Sequence, residues 1–196
     1  MLSENEILNN IQRVTKLIDK ITDDSRKNKI KELFEKIGDK YFTAPASSQE
    51  KFHDAYPGGL AKHSLQVTKN LNELSKLWYS SLSIDSIIIC GLLHDVGKAT
   101  TVNGLDIYIK ETEDWKIRRG NLYYHNLDIR DGLTHAQRSI RLIAYYDISL
   151  TDEEYIAILS HDGLYVDENQ VFKNKFGKLG LLLQWSDLKT THWDNL

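Results

Sequence analysis

The sequence predicts an all-α fold, a helical bundle interrupted by one small β-hairpin or lid insert around residues 103–126. Apolar residues recur at helical spacing through most of the chain. Only two prolines, Pro45 and Pro57, occur in 196 residues, which favours long helices. The insert differs, because short alternating aromatic and β-branched runs there are broken by Gly104 and Gly120, a pattern typical of a hairpin.

Residues 1–41 predict a pair of helices. Ser3 and Glu6 have the spacing of a capping box, in which each residue satisfies a backbone N–H of the first helix. Asp24 is expected to cap the second helix, whose apolar face ends at Tyr41. Neither helix offers catalytic chemistry, so we interpret the pair as a packing platform or a partner surface.

The third helix is predicted from about Leu60 to Trp78, after a loop over residues 43–59 that is rich in proline, glycine and serine. His63 falls on the apolar stripe of this helix. A histidine on an apolar stripe is often only a satisfied core residue, so its neighbours in the fold decide its role.

The fourth helix is an apolar run from Ile84 to Leu93 that reads as fully buried. It delivers His94 and Asp95 at its end, and burying such a pair is costly unless a partner satisfies both side chains. A divalent metal does so, since carboxylate oxygen and neutral imidazole nitrogen are good ligands. The alternative is a surface His-Asp pair at a helix end.

Three further helices follow the insert. His135 opens the first, and a capping box over residues 151–154 starts the second, which ends near His161. The last helix places Asp187 on the same buried face as Leu183. A lone acid in such a position requires a metal or a cation.

Five helices therefore each bring a ligand-type group to the interior. A separate structural explanation for every one of them is less economical than a common metal site. The candidate metal ligands are His63, His94, Asp95, His135, His161 and Asp187.

The order of these residues, with the segments "GGLAKHS", "LLHDVGK", "LTHAQRS" and "ILSHDG", resembles the HD-domain superfamily of metal-dependent phosphohydrolases. The resemblance covers residues 42–190 and implies a single HD domain over 1–196. The pattern is close to small HD hydrolases and to the HD module of bacterial 3′-to-5′ exoribonucleases. This chain begins with two predicted helices rather than a β-barrel, which favours a nucleotide or short oligonucleotide as substrate.

The resemblance implies one or two divalent ions, Mn, Mg, Fe, Ni or Zn. Asp95 would bridge two ions. The first ion would also take His63, His94 and Asp187, and the second would also take His135 and His161. Ions sharing a water can present hydroxide to a phosphorus atom, with Asp95 as a catalytic residue.

Lys98, one short turn after Asp95, is the second candidate catalytic residue and could hold a phosphate oxygen as a point charge. His53, Tyr56 and Arg118 are further candidates for substrate contact. Arg118 belongs to a set of basic residues interleaved with aromatics in the insert, which suits phosphate contact and base stacking. The alternatives are a surface Lys98, a loop stabilised by His53 and Tyr56, and a solvated hairpin.

A net charge of −3 gives no basic footprint for duplex nucleic acid. The sequence has no apolar secretory segment and no run long enough for a membrane span, which predicts a cytoplasmic protein. Homo-oligomerisation stays open. Two other functions also stay open, a di-iron oxygenase on the same fold and a non-enzymatic, metal-stabilised regulatory or binding module.

Overall fold

The computed structural model describes residues 2–78 and 81–194, and it confirms an all-α bundle with one small antiparallel hairpin. Turns of 3-10 helix cover Val96–Lys98 and Asp167–Phe172. The helices are α1 Glu4–Ile18, α2 Asp24–Thr43, α3 Gly59–Trp78, α4 Ile84–Leu93, α5 Asp114–Ile117, α6 His135–Tyr145, α7 Asp152–Leu159 and α8 Gly177–His192. The strands are β1 Tyr108–Lys110 and β2 Tyr123–His125.

The core lies around α3, which packs against α4 on one side and α8 on another, while α7 packs on both α4 and α8. Helices α1 and α2 add their apolar faces to the same core, with Leu33 and Tyr41 fully buried. The Tyr41 hydroxyl donates a hydrogen bond of 3.1 Å to the carbonyl of Leu92, close to the end of α4. The N-terminal pair therefore supports the helix that carries His94.

A buried acid ties α2, α4 and α7 together. Glu154 is fully buried in α7, and its Oε2 lies 2.7 Å from Nη2 of Arg26 in α2. Its Oε1 accepts a hydrogen bond of 2.7 Å from the Ser86 hydroxyl in α4. Because each oxygen has a partner on a different helix, the charge is compensated and the relative positions of the three helices are defined.

The predicted capping boxes at Ser3 and Thr151 are confirmed, and α6 starts with a further one between Thr134 and Gln137. The prediction for α2 was wrong by one residue. Asp23 is the N-cap and its carboxylate accepts from the Arg26 N–H, while Asp24 is already helical. An acid suits both positions, because both lie beside unpaired N–H groups at the positive end of the helix.

The hairpin pairs Tyr108 with His125 and Lys110 with Tyr123. The predicted hairpin or lid insert is confirmed, and its tip contains the short helix α5. A local network explains this, because Glu113 accepts hydrogen bonds from Trp115 Nε1 at 2.6 Å and from Lys116 Nζ at 2.8 Å. None of the helices in the described ranges combines the length and apolar character that a bilayer crossing requires.

Candidate metal centre

The first pair of histidines comes from two helices in close contact. His63 lies within α3, His94 is the C-cap of α4, and both are fully buried. The helices approach where Gly91 faces Thr68, since a Cβ on Gly91 would lie only 2.3 Å from Thr68 Oγ1. This approach brings His63 Nε2 within 3.3 Å of His94 Nε2.

Asp187 joins this pair from α8, which packs along α3. Its Oδ1 lies 3.0 Å from His63 Nε2 and 4.0 Å from His94 Nε2. Leu183, one turn earlier in α8, is fully buried, so Asp187 is on the inward face that the sequence predicted.

Asp95 stands between α4 and the following 3-10 turn and is 1% exposed. Its Oδ2 lies 3.6 Å from His63 Nε2 and 3.5 Å from His94 Nε2. We call His63, His94, Asp187 and this oxygen the first ligand group. The other oxygen, Oδ1, is buried and accepts no hydrogen bond from any described residue.

A second pair of histidines surrounds that other oxygen. His135 begins α6 and His161 follows α7, with 3.2 Å between their Nε2 atoms. Asp95 Oδ1 lies 3.5 Å from His135 Nε2 and 3.4 Å from His161 Nε2. Gly97 allows α6 to approach this closely, because a Cβ there would lie 2.4 Å from both the His135 carbonyl oxygen and the Ser139 nitrogen.

Asp162 also belongs to this second cluster, although it was not selected from the sequence. Its Oδ2 lies 3.2 Å from His135 Nε2 and its Oδ1 lies 3.9 Å from His161 Nε2. We call Asp95 Oδ1, His135, His161 and Asp162 the second ligand group. A signal existed in the sequence, because His161-Asp162 repeats the dipeptide His94-Asp95.

The ring orientations fit metal binding. Nδ1 of His94 lies 3.1 Å from the Gly91 carbonyl oxygen, and Nδ1 of His161 lies 2.7 Å from the Ile158 carbonyl oxygen. A carbonyl oxygen can only accept, so each Nδ1 carries a hydrogen, and each ring directs its Nε2 atom into its ligand group, where that nitrogen can bind a metal once it carries no proton.

The spacing of the ligand atoms fits as well. Neighbouring ligands at 2.0–2.1 Å from a metal lie about 2.8–3.0 Å apart in octahedral geometry and about 3.3–3.4 Å apart in tetrahedral geometry. Most of the Nε2 and carboxylate spacings in the two groups lie between 3.0 and 3.6 Å. The donor set and its spacing therefore fit a divalent ion in each group.

The electrostatics favour a cation. Burial lowers the pKa of His94 to about 3, which keeps that ring neutral. Burial also opposes protonation of His161, but the carboxylates of Asp95 and Asp162 outweigh it and raise the pKa of His161 to about 9. Burial opposes ionisation of Asp187, yet its hydrogen bond to His63 holds the Asp187 pKa well below its usual range. Three ionised carboxylates thus share this interior.

The HD-domain family model matches residues 60–131 of this chain. The chain contains an HD domain. The matched segment includes His63, His94 and Asp95, whereas the other members of the two ligand groups lie after it in the sequence. Neither a curated protein nor a solved structure matches the chain.

Lys98 of the HD domain reaches the first ligand group directly. Its Nζ lies 2.7 Å from Asp95 Oδ2, and its side chain is 13% exposed. Burial opposes protonation of Lys98, but the negative charge of Asp95 overrides it and raises the Lys98 pKa above its ordinary value. The surface alternative for Lys98 was wrong, since the ammonium is buried beside the candidate metal ligands.

His53 stacks on the metal-ligand candidate His63 of the HD domain, with 4.5 Å between ring centroids. Both His53 ring nitrogens are buried and have no hydrogen-bond partner among the described residues. Burial lowers the pKa of His53 to about 4, so its ring is neutral near pH 7. A neutral ring leaves one donor and one acceptor for a bound molecule, and the predicted role in substrate contact stays a prediction.

Tyr56 and Arg118 are placed differently. The Tyr56 hydroxyl hydrogen-bonds the Asp54 carboxylate, and Lys62 Nζ donates to both groups at 2.8 Å. Tyr56 is thus engaged in holding the loop before the HD domain. Arg118 is exposed at the end of α5, and no contact of the described residues connects it to either ligand group. Substrate contact by these two residues stays a prediction.

Proposed function

We propose that this protein is a metal-dependent phosphohydrolase that hydrolyses a phosphate ester or phosphodiester of a nucleotide or short oligonucleotide. One observation carries the proposal. The two oxygens of Asp95 face different pairs of histidine Nε2 atoms, Oδ2 at 3.5–3.6 Å and Oδ1 at 3.4–3.5 Å. A carboxylate in this setting can be shared between two cations, which is the arrangement that two-ion hydrolysis of phosphate esters requires.

The first ligand group would hold one divalent ion and the second group the other, with Mn, Mg, Fe, Ni and Zn as candidates. When bound, such ions lower the pKa of a coordinated water molecule and offset negative charge on phosphate oxygens. The outward side chains of the groups are His135 and Asp162, with side-chain exposures of 26% and 33%. Substrate would therefore approach on their side of the centre.

Lys98 supports a phosphate substrate rather than an uncharged one. Its ammonium lies against Asp95 and stays protonated at neutral pH, because the carboxylate raises the Lys98 pKa despite burial. A compact, permanently charged group at the edge of the centre can bind a phosphate oxygen and neutralise part of its charge.

A cavity of about 490 Å³ next to Lys98 supports a nucleotide-sized group. It lies between the inner face of the hairpin, which carries Tyr108, Lys110 and Tyr123, and the C-terminal end of α2, where Lys40 contributes. Tyrosine rings can stack on a nucleobase and Lys110 can contact a further phosphate, whereas Lys40 is paired with Asp106 at the edge of the same cavity. We expect the part of the substrate beyond the cleaved bond to occupy this cavity.

In the proposed reaction, a hydroxide derived from water bonds to phosphorus and the bond from phosphorus to the leaving oxygen breaks. The leaving oxygen takes up a proton, so that one water molecule is consumed for each ester bond cleaved. Lys98 would bind the phosphate oxygens throughout. His53, whose ring stacks on His63 and whose buried nitrogens have no partner among the described residues, would offer a hydrogen bond to the bound substrate.

The decisive experiment is a screen of metal-free protein reloaded with each divalent ion. Nucleotides, cyclic nucleotides and short oligonucleotides are the substrates, and the release of phosphate or nucleoside is measured. Asp95→Asn should lower kcat by at least about 10³-fold and reduce bound metal, as expected for loss of a shared ligand. Asp85→Asn is the matched control, because Asp85 is a buried acid at the other end of α4 that accepts hydrogen bonds from Thr22 and Asp23.

Two outcomes would replace the proposal. Oxygen consumption by the iron-loaded protein, without hydrolysis of any phosphate ester, would favour the di-iron oxygenase. Stable metal binding with no turnover in either assay would favour the regulatory or binding module.

A further inference from the structure

A second cavity lies away from the metal centre, between α1, α3 and α4, and has a volume of about 320 Å³. Its floor is apolar, with buried Leu65, Ile87 and Ile88 beneath half-buried Leu17. Ile84 is 41% exposed at its edge. A concave apolar floor of this size is typical of a site for a small organic molecule.

The rim of this cavity is positively charged. Arg13 and Lys16 lie three residues apart on one face of α1, Lys20 follows in the turn after α1, and Lys69 comes from α3. No aspartate or glutamate is among the described residues that line the cavity. The one ion pair found for these cations within the described ranges joins Lys69 to Glu73 across 3.9 Å, between two exposed side chains.

This positive rim contrasts with the net charge of the molecule, which is −3. Several lysines elsewhere are paired with acids, as Lys62 is with Asp54 and Lys31 with Asp19. Four cations without a lining acid create a local positive potential, which attracts an anion and is screened by salt.

We propose that this cavity binds a small organic anion with an apolar body, such as an aliphatic or aromatic carboxylate or phosphate monoester. The apolar body would contact Leu17, Ile84 and Ile88, while the anionic end would lie among Lys16, Lys20 and Lys69. The ligand is a freely diffusing molecule rather than a membrane surface, because the apolar contacts lie in a recess. None of the lining residues belongs to either ligand group, so this site is independent of the proposed hydrolytic function.

The test is calorimetric titration of the whole 196-residue chain with decanoate, below the concentration at which decanoate forms micelles. Decanol supplies the same chain without the charge, and acetate supplies the charge without the chain. Each should bind at least about tenfold more weakly than decanoate, because the site requires both parts. Equal affinity for decanol and decanoate, or no measurable decanoate binding, would refute the proposal.

Variants assign the binding to this cavity. Lys16→Glu combined with Lys20→Glu should weaken decanoate binding at least about tenfold, since two attractive charges become repulsive. Lys36→Glu combined with Lys175→Glu is the matched control, because it makes the same change in net charge at two exposed lysines outside the cavity. Equal losses in both double variants would show that binding is non-specific and would overturn the proposal.

Two further measurements complete the design. Should the charge-reversal variant fail to fold, Arg13→Gln combined with Lys69→Gln is a milder change that removes charge without reversing it. This variant should also weaken decanoate binding. Metal content should be unchanged in every variant. Recruitment of the protein to anionic vesicles, lost in the Lys16→Glu and Lys20→Glu variant while free decanoate fails to bind, would assign the surface to a membrane and contradict the proposal.

Discussion

Lys98 and Asp95 form a buried ion pair in which Lys98 Nζ lies 2.7 Å from Oδ2, the carboxylate oxygen that also faces His63 and His94. The ammonium therefore shares this oxygen with the first ligand group, while Oδ1 remains for the second group. An ion in the first group would weaken the hold of Asp95 on Lys98. The lysine would then be available to a phosphate oxygen.

Replacing Lys98 by methionine, which keeps most of its volume, should lower kcat/KM by about 10–100-fold. Metal content should stay the same, because the ligand atoms remain in place. The metal-free variant should melt at a lower temperature, since Asp95 loses its nearest cationic partner and breaking a buried pair costs up to about 3–5 kcal/mol. Kinetics measure kcat/KM, mass spectrometry of the native protein measures metal content, and thermal melts measure stability.

Lys62→Met is the matched control for Lys98, because Lys62 pairs with Asp54 but is 43% exposed. It should leave both metal content and kcat/KM close to those of the wild type. Loss of metal from the Lys98 variant would contradict the assignment of Lys98 to substrate rather than to the metal centre.

His161→Ala should remove the ion of the second ligand group and keep that of the first. The reason is that His161 contacts Asp95 Oδ1 and His135, whereas the first group uses Asp95 Oδ2. Metal analysis should fall from two ions per chain to one. Asp162→Asn should weaken the second ion without abolishing it, and exposed His192→Ala should change nothing. An unchanged stoichiometry in His161→Ala would disprove the two-ion arrangement.

The metal-free protein should be most stable near pH 6.5. The folded-state pKa of His161 is raised to about 9, so its contribution is fully present below its unfolded pKa and is lost as pH rises through 9. The pKa values of His94 and His53 are lowered to about 3 and 4. Stability should therefore also fall as pH decreases from about 6.5 toward those values, where the unfolded chain binds the protons more readily.

Thermal melts across pH 4–10 check this profile. Metal should flatten its alkaline side, because an ion replaces the proton of His161 and the uptake of metal should release that proton. The His161→Ala variant should also lose the alkaline decline. A metal-free wild type whose melting temperature stays constant from pH 6.5 to 9 would show that the carboxylates do not hold a proton on His161.

Gly97→Ala should damage the second ligand group selectively. A Cβ at Gly97 would lie 2.4 Å from backbone atoms of His135 and Ser139, so α6 must move away from Asp95. We expect a lower melting temperature and loss of the second ion. Gly38→Ala is the control, because its Cβ would lie 3.8 Å from the Phe42 ring inside α2 and alanine favours a helix. Metal analysis and melts of both variants make the comparison.

Much of the fold could be predicted because each main helix has an apolar stripe and several have caps that are local in sequence. Ser3 with Glu6 and Thr151 with Glu154 act within one turn, so their neighbours along the chain suffice to predict them. The secondary structure at the tip of the hairpin was harder to predict from the sequence. Its alternating pattern suggests a strand, but hydrogen bonds from Trp115 and Lys116 to Glu113 stabilise a helical turn.

The site was harder to predict, because which residues belong to the two ligand groups depends on the packing of segments that are distant in sequence. Asp162 follows a helix and precedes Gly163, so it reads as an ordinary turn residue until His135 is brought beside it. Tyr56 and Arg118 were selected because their residue types suit a substrate pocket. Tyr56 contacts Asp54 and Arg118 is exposed, so their role in substrate contact stays a prediction.

The partners of Glu154 have a consequence for dissecting this protein. Resemblance alone suggests that residues 42–190 could be excised as an autonomous unit. That cut would remove Arg26, which is the one cationic partner of Glu154 within the described ranges. The buried Glu154 carboxylate would then have no compensating charge. It would also delete Tyr41, whose hydroxyl donates a hydrogen bond to the carbonyl of Leu92, two residues before His94. We expect the excised fragment to be insoluble, so minimal versions for crystallisation or directed evolution should keep the leading helices.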